Sequence, residues 1–191
     1  GLEGGFCIYS GVIGNNPSLL KPPADLQGIT YGNASANITV VEFGCYVCPY
    51  TRAAESDIKP LLAKYNNTIY FVFKPFPLPG HNNSKEAALA AYCANEEGKY
   101  WEYRALLFNN QQDVEANGTA ALTGFASRLG LVNFTACYSS GKYMPEIQTL
   151  AEQGVSCGLY GTPTIFVNGQ AFVGENAAKQ ADTRIQQLLA K

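Results

Sequence analysis

Apolar positions along the chain fall into short runs that alternate between strand-like and helix-like spacing. Gln27–Tyr31 and Ile38–Phe43 read as short strands separated by a Gly-Asn turn. Thr68–Lys74 is rich in β-branched and aromatic residues and predicts a buried strand. Pro49 to Tyr65 has helical spacing, with Pro60 placed to kink it. Pro75–Gly80 breaks regular structure. Ser84–Glu97 is Ala-rich and stops at Gly98, the residue type that closes helices. Lys99–Asn109 and Thr119–Leu129 predict further helices, the second closed by Gly130, and Phe134–Val155 predicts one or two more. Thr164–Val167 and Ala171–Val173 flank Asn168-Gly169, a strong hairpin signal. Asn176–Leu189 predicts a final helix.

The order is β-β-α-β, a block of helices, then β-β-α. A sheet that opens, pauses for helices and resumes implies one α/β domain with an inserted helical subdomain. The expected segments are an N-terminal arm over 1–26, a first α/β part over 27–80, the helical insertion over 81–156 and a second α/β part over 157–191.

Composition narrows the function. The 191 residues are 47% hydrophobic with a net charge of −2, and no basic run suits a nucleic acid. No apolar stretch approaches the ~18 residues of a membrane span. Residues 1–16 lack the pattern of a signal peptide and would suit the remnant left when a signal or anchor is removed. Six cysteines point to an oxidising compartment, with a redox pair and structural bridges. Asn33, Asn37, Asn66, Asn82, Asn117 and Asn133 each begin an N-x-[ST] sequon, more than composition explains. Glycosylation at these asparagines and an extracytoplasmic location, secreted or at the cell surface, are therefore expected.

Chemistry concentrates at Cys45-Tyr46-Val47-Cys48-Pro49-Tyr50, where an apolar run meets a helix. Unpaired N–H groups and a partial positive charge at a helix N-terminus favour a thiolate over a thiol. Two registers are open. Either the helix starts at Cys45, which attacks while Cys48 resolves, or it starts at Pro49 and Cys48 is its cap. Proline favours the second, because at the first helical position its missing N–H costs nothing.

Val41-Glu42-Phe43 followed by Cys48-Pro49-Tyr50-Thr51-Arg52 resembles the active-site segment of the DsbA-like thiol–disulfide oxidoreductases of the thioredoxin superfamily. The likeness continues through Lys74-Pro75-Phe76-Pro77-Leu78 and His81, through Ala91-Tyr92-Cys93-Ala94 with Gly98-Lys99-Tyr100-Trp101-Glu102-Tyr103, and through Gly161-Thr162-Pro163-Thr164-Ile165-Phe166-Val167-Asn168-Gly169. It spans roughly residues 27–190 and implies a thioredoxin fold with a helical insertion. It also implies an enzyme that exchanges disulfides with unfolded or cysteine-containing proteins, needs no cofactor or metal, and is reoxidised by a quinone-linked membrane thiol oxidase.

The chain departs from the family where Thr51 stands in place of the second cysteine of Cys-Pro-x-Cys. In the favoured mechanism Cys45 resolves the mixed disulfide formed by Cys48, which requires the loop between them to turn. Alternatively Cys48 works as a monothiol with Thr51 hydrogen-bonding its thiolate, or the pair is a static bridge. The resemblance makes Pro163 a cis-proline beside the redox sulfur, where the bottom-up alternative is a trans proline opening an edge strand. Thr162 would then offer backbone groups to a substrate strand. It makes Glu42 a buried acid that moves protons, against the alternative of a solvated edge residue. It further implies a Cys93–Cys137 bridge within the insertion, which leaves Cys7 and Cys157 as a pair by elimination. His81 reads as a loop or packing residue. The competing function is a redox-inert or monothiol peptide-binding or chaperone-like module.

Overall fold

The computed structural model describes residues 4–9 and 16–191. Residues 1–3 and 10–15 of the expected arm lie outside the described residues. A five-stranded sheet runs in the order β2-β4-β3-β6-β7, built from β2 (Ile29–Gly32), β3 (Ile38–Gly44), β4 (Ile69–Pro75), β6 (Thr164–Val167) and β7 (Gln170–Val173). Strands β3 and β4 are parallel, joined by the crossover helix α1 (Pro49–Lys64); the other pairings are antiparallel. The central strands read as nearly unbroken apolar runs because both faces are covered: Val40–Gly44 and Phe71–Pro75 are buried throughout. Pro60 sits inside α1, and the helix continues through it.

Six helices separate β4 from the second half of the sheet: α2 (Ser84–Glu96), α3 (Tyr100–Asn109), α4 (Gln111–Asn117), α5 (Thr119–Arg128), α6 (Phe134–Ser140) and α7 (Met144–Ser156). The glycine stops work as anticipated. After α2, Gly98 at φ 74° lets Lys99 N–H reach Ala94 O (3.0 Å) while its own N–H reaches Asn95 O (3.1 Å). Helix α4 is the one element the apolar spacing did not announce, since Gln-Gln-Asp-Val-Glu-Ala-Asn buries only Gln111 and Val114. The hairpin turn is at Asn168-Gly169, with Asn168 at φ 52°. Asn168 also ties the hairpin to β3, donating its N–H to Thr39 O and accepting Thr39 N–H at Oδ1, both at 2.9 Å. Helix α8 (Ala177–Leu189) packs on α1 and β6 and closes the chain.

A second, very small sheet was not expected from the sequence. Strand β1 (Cys7–Ile8) pairs antiparallel with β5 (Gly161–Thr162), placing Cys7 opposite Thr162 and Ile8 opposite Gly161. This pairing brings the N-terminal arm to the mouth of α1.

Candidate active site

Strand β3 delivers the chain into a tight turn, Cys45 to Cys48, closed by Cys48 N–H donating to Cys45 O at 3.1 Å. Helix α1 then begins at Pro49 with Cys48 as its N-cap, its backbone extended at φ −84° and ψ 122°. The cap is made by sulfur: Thr51 N–H donates to Cys48 Sγ at 3.4 Å. No carboxylate lies in the first turn of α1. The helix therefore directs an N–H and its positive end at Cys48, which favours the thiolate when the sulfur is reduced.

Cys48 is bonded to Cys7, with S–S 2.06 Å and Cα–Cα 6.1 Å across 41 residues of sequence. This corrects the expectation that Cys45 and Cys48 form the pair. The turn they needed is present, yet Cys45 is a free thiol, 1% exposed, held near the backbone amides of Leu78, Val47 and Cys48. Burial pushes its pKa up to about 11, so only about one molecule in ten thousand carries the thiolate at pH 7. The expected Cys7–Cys157 link is also corrected. The β1–β5 register sets Cys7 opposite Thr162, five residues beyond Cys157, and this carries Cys7 onto Cys48. Cys157 remains a buried free thiol at the end of α7, its pKa raised mainly by burial. Cys93 on α2 and Cys137 on α6 are joined, with S–S 2.13 Å.

The Thr162–Pro163 peptide is cis, and the Thr162 carbonyl oxygen lies 3.6 Å from Cys48 Sγ. In the disulfide Cys48 has no S–H, so this is a close approach; once reduced, the thiol can donate there. Thr51 is wholly buried at the position of the missing cysteine, its Oγ1 accepting Cys45 N–H at 3.5 Å. Its part is to hold the turn and, through its backbone N–H, the sulfur. His81 places Nδ1 3.4 Å from Val47 O, a packing contact with the same loop.

Glu42 lies on β3, the middle strand of the sheet, and is fully buried rather than at a solvated edge. Arg104 of α3 donates from Nη2 to Glu42 Oε1 at 2.9 Å and to Glu55 Oε1 at 2.7 Å, and from Nε to Glu55 Oε2 at 2.6 Å. The guanidinium sits 4.7 Å from the Phe73 ring centroid and 5.0 Å from that of Trp101. Two carboxylates share one cation in a dry setting. Burial first, and then the neighbouring charge of Glu55, push the Glu42 pKa up to about 7 against the pull of Arg104. A carboxyl that titrates near neutrality is suited to giving and taking protons.

Three features of the site escaped the sequence. Arg104 and Glu55 were not singled out, although Arg104 is a lone cation in the aromatic run Tyr100-Trp101-Glu102-Tyr103-Arg104, one turn after Tyr100. Gln111, at the start of α4, clamps the cysteine turn by donating from Nε2 to Tyr46 O at 2.9 Å and Cys48 O at 3.0 Å. Cys7 was seen only as a structural cysteine, though it follows a Gly-Gly pair and is flanked by Phe6 and Ile8, a strand-like local composition.

The thioredoxin family model matches residues 25–187. The chain belongs to the thioredoxin family. Among solved structures it is similar to the thiol-disulfide exchange protein alpha-DsbA2 from Wolbachia pipientis. That match has TM-score 0.74 and 20% identity and covers 86% of this chain and 88% of that one. It is also similar to a thioredoxin-like oxidoreductase from Silicibacter pomeroyi DSS-3, with TM-score 0.66, 29% identity and coverage of 91% and 99%. The architecture is accordingly DsbA-like, a thioredoxin fold with its helices inserted between β4 and β5. The Na(+)/H(+) antiporter NhaA 1 of Salinispora arenicola is 34% identical over 146 residues, 75% of this chain and 22% of the antiporter. The chain spans about a quarter of the length of the curated relatives it matches. No helix among the described residues is long and apolar enough to cross a membrane.

Proposed function

We propose that this protein is a thiol–disulfide oxidoreductase acting on cysteines of substrate proteins, with Cys48 as the attacking sulfur and Cys7 as its redox partner. The observation that carries this reading is the bond between Cys7 and an N-capping Cys48 beside the cis-proline loop. In the reducing direction the Cys48 thiolate attacks a substrate disulfide. One substrate sulfur leaves as a thiolate and takes a proton, and a Cys48–substrate disulfide remains. The Cys7 thiolate then attacks Cys48 Sγ, the Cys7–Cys48 bond forms and the second substrate thiolate departs. The two electrons gained by the substrate come from the two thiols. The reverse sequence forms a disulfide in the substrate.

An extracytoplasmic location accords with two disulfides in one domain, and with all six sequon asparagines being exposed. Unfolded or cysteine-containing proteins are the proposed substrates, and a quinone-linked membrane thiol oxidase the proposed reoxidant. The test is turnover of a protein disulfide under a glutathione couple. Cys48→Ser is expected to abolish it, Cys7→Ser to trap mixed disulfides on Cys48 with at least tenfold slower turnover, and Cys45→Ser to leave it within twofold. Full activity in Cys7→Ser, with loss in Cys45→Ser, would return the role to Cys45.

A further inference from the structure

Cys48 is wholly buried and Cys7 is 7% exposed. The arm over residues 4–9 lies across the site, and its fit there is detailed. Besides the β1–β5 register, Tyr9 N–H donates to Tyr160 O at 2.9 Å and Glu175 N–H donates to Gly5 O at 2.9 Å. Phe6 packs edge-on against Tyr160, with centroids 5.4 Å apart, and Tyr9 edge-on against Phe76 at 5.2 Å. Gly4 and Gly5 pass where side chains have no room. A Cβ on Gly5 would come 2.3 Å from the Tyr50 ring, and one on Gly4 would come 2.4 Å from the Glu175 side chain. Gly161 in turn has no space for a Cβ, because Phe6 Cδ2 would be 2.3 Å away.

We infer that the arm is a tethered substrate mimic: the groove takes an extended cysteine-containing segment whose cysteine faces Thr162, with one aromatic side chain on Tyr160 immediately before it and another on Phe76 two residues after. This rests on the function proposed above and adds the substrate class and a gate. The main-chain hydrogen bonds of β5 supply affinity without sequence preference, while the two aromatic contacts select the segment. An incoming sulfur must attack Cys48 on the side away from Cys7, and it reaches the fully buried Cys48 only as β1 lifts from β5. A dithiol reductant attacks the slightly exposed Cys7, gives up two electrons and closes to its own disulfide. This reduction of the Cys7–Cys48 bond frees β1, and a substrate strand takes its place. When Cys7 later attacks Cys48 Sγ, β1 returns to β5 and expels the substrate strand, so resolution and release are one event.

The probe is the fluorescent peptide Gly-Gly-Phe-Ser-Ile-Tyr, the arm sequence with serine for cysteine so that it cannot be captured covalently. It is titrated against oxidised protein, reduced protein and the reduced triple variant Phe6→Ala/Cys7→Ser/Tyr9→Ala. Binding is expected to be absent in the oxidised form, present in the reduced form and at least tenfold tighter in the triple variant. A peptide with alanine for both aromatics should bind at least tenfold more weakly than the parent. Hydrogen exchange at residues 4–9 and 160–162 should accelerate at least tenfold on reduction.

Equal binding by oxidised and reduced protein overturns the inference, as does no binding by any form or unchanged exchange. Exchange of Cys48 with glutathione disulfide separates the two readings. If Cys48 exchanges and the peptide results fail, the mimic falls and the oxidoreductase stands. If Cys48 does not exchange, the oxidoreductase falls.

Discussion

Glu42 carries the clearest consequence of placing a single group in a dry setting. Its pKa rises from 4.5 to about 7 on folding, so the folded chain holds this proton more tightly than the unfolded chain. Between pH 4.5 and 7 the unfolded state ionises first, and ionisation there favours unfolding. The stabilisation from the protonated carboxyl is complete below about 4.5, shrinks as pH rises and is gone above 7. Denaturant titrations at pH 4.5, 5.5, 6.5 and 7.5 should show Glu42→Gln lacking this decline. Relative to the variant, the native chain should lose on the order of 3 kcal/mol across the window. A difference between the two proteins that stays constant with pH would mean that Glu42 does not titrate there. Asp25 acts with the opposite sign. The hydrogen bond from buried Lys74 (2.9 Å) holds its pKa down to about 2, so what it contributes is lost only in acid.

At the scale of elements, the start of α1 was legible because proline has one favoured position in a helix, and Pro49 named Cys48 as the cap. The same logic located the Gly98 and Gly130 stops and the Asn168-Gly169 hairpin, all cases in which the local backbone dictates the residue. The partner of Cys48 was not legible. Pairing Cys7 with Cys48 depends on a two-residue strand meeting β5 from more than 150 residues away in sequence, and nothing periodic announces so short an element. The β1–β5 register decided against Cys45, since Cys45 and Cys48 are both buried and Cys7 is carried onto Cys48. Helix α4 stayed hidden for a related reason, since two inward side chains set no period. Thr51→Cys supplies the family's usual second sulfur one turn into α1. Oxidised protein mapped by mass spectrometry should then contain a new bond from Cys48 to position 51 at the expense of Cys7–Cys48, with a changed redox midpoint. Retention of Cys7–Cys48 alone would show that the seated arm excludes the competitor.

For the whole molecule, the two disulfides divide the work. Cys93–Cys137 ties α2 to α6 within the helical insertion across 44 residues of sequence. Loop-closure entropy for that span is about 4 kcal/mol, so Cys93→Ala/Cys137→Ala should lower stability by about 2–4 kcal/mol. Denaturant melts of the oxidised proteins check this, and turnover at Cys48 should persist wherever the variant stays folded. An equal loss of turnover at temperatures where the fold is intact would place the insertion in the chemistry. The Cys7–Cys48 bond instead crosses between the arm and the active-site helix, fastening a strand over the reactive sulfur.

A strand tied beside its own groove is present there at an effective concentration in about the millimolar range. A free segment at micromolar abundance has to overcome a thousandfold numerical disadvantage wherever β1 competes for the groove. On the function proposed above, seating β1 against β5 would act as a threshold on abundance and fit: casual encounters with exposed cysteines would be turned away, and only well-matched chains held long enough to react.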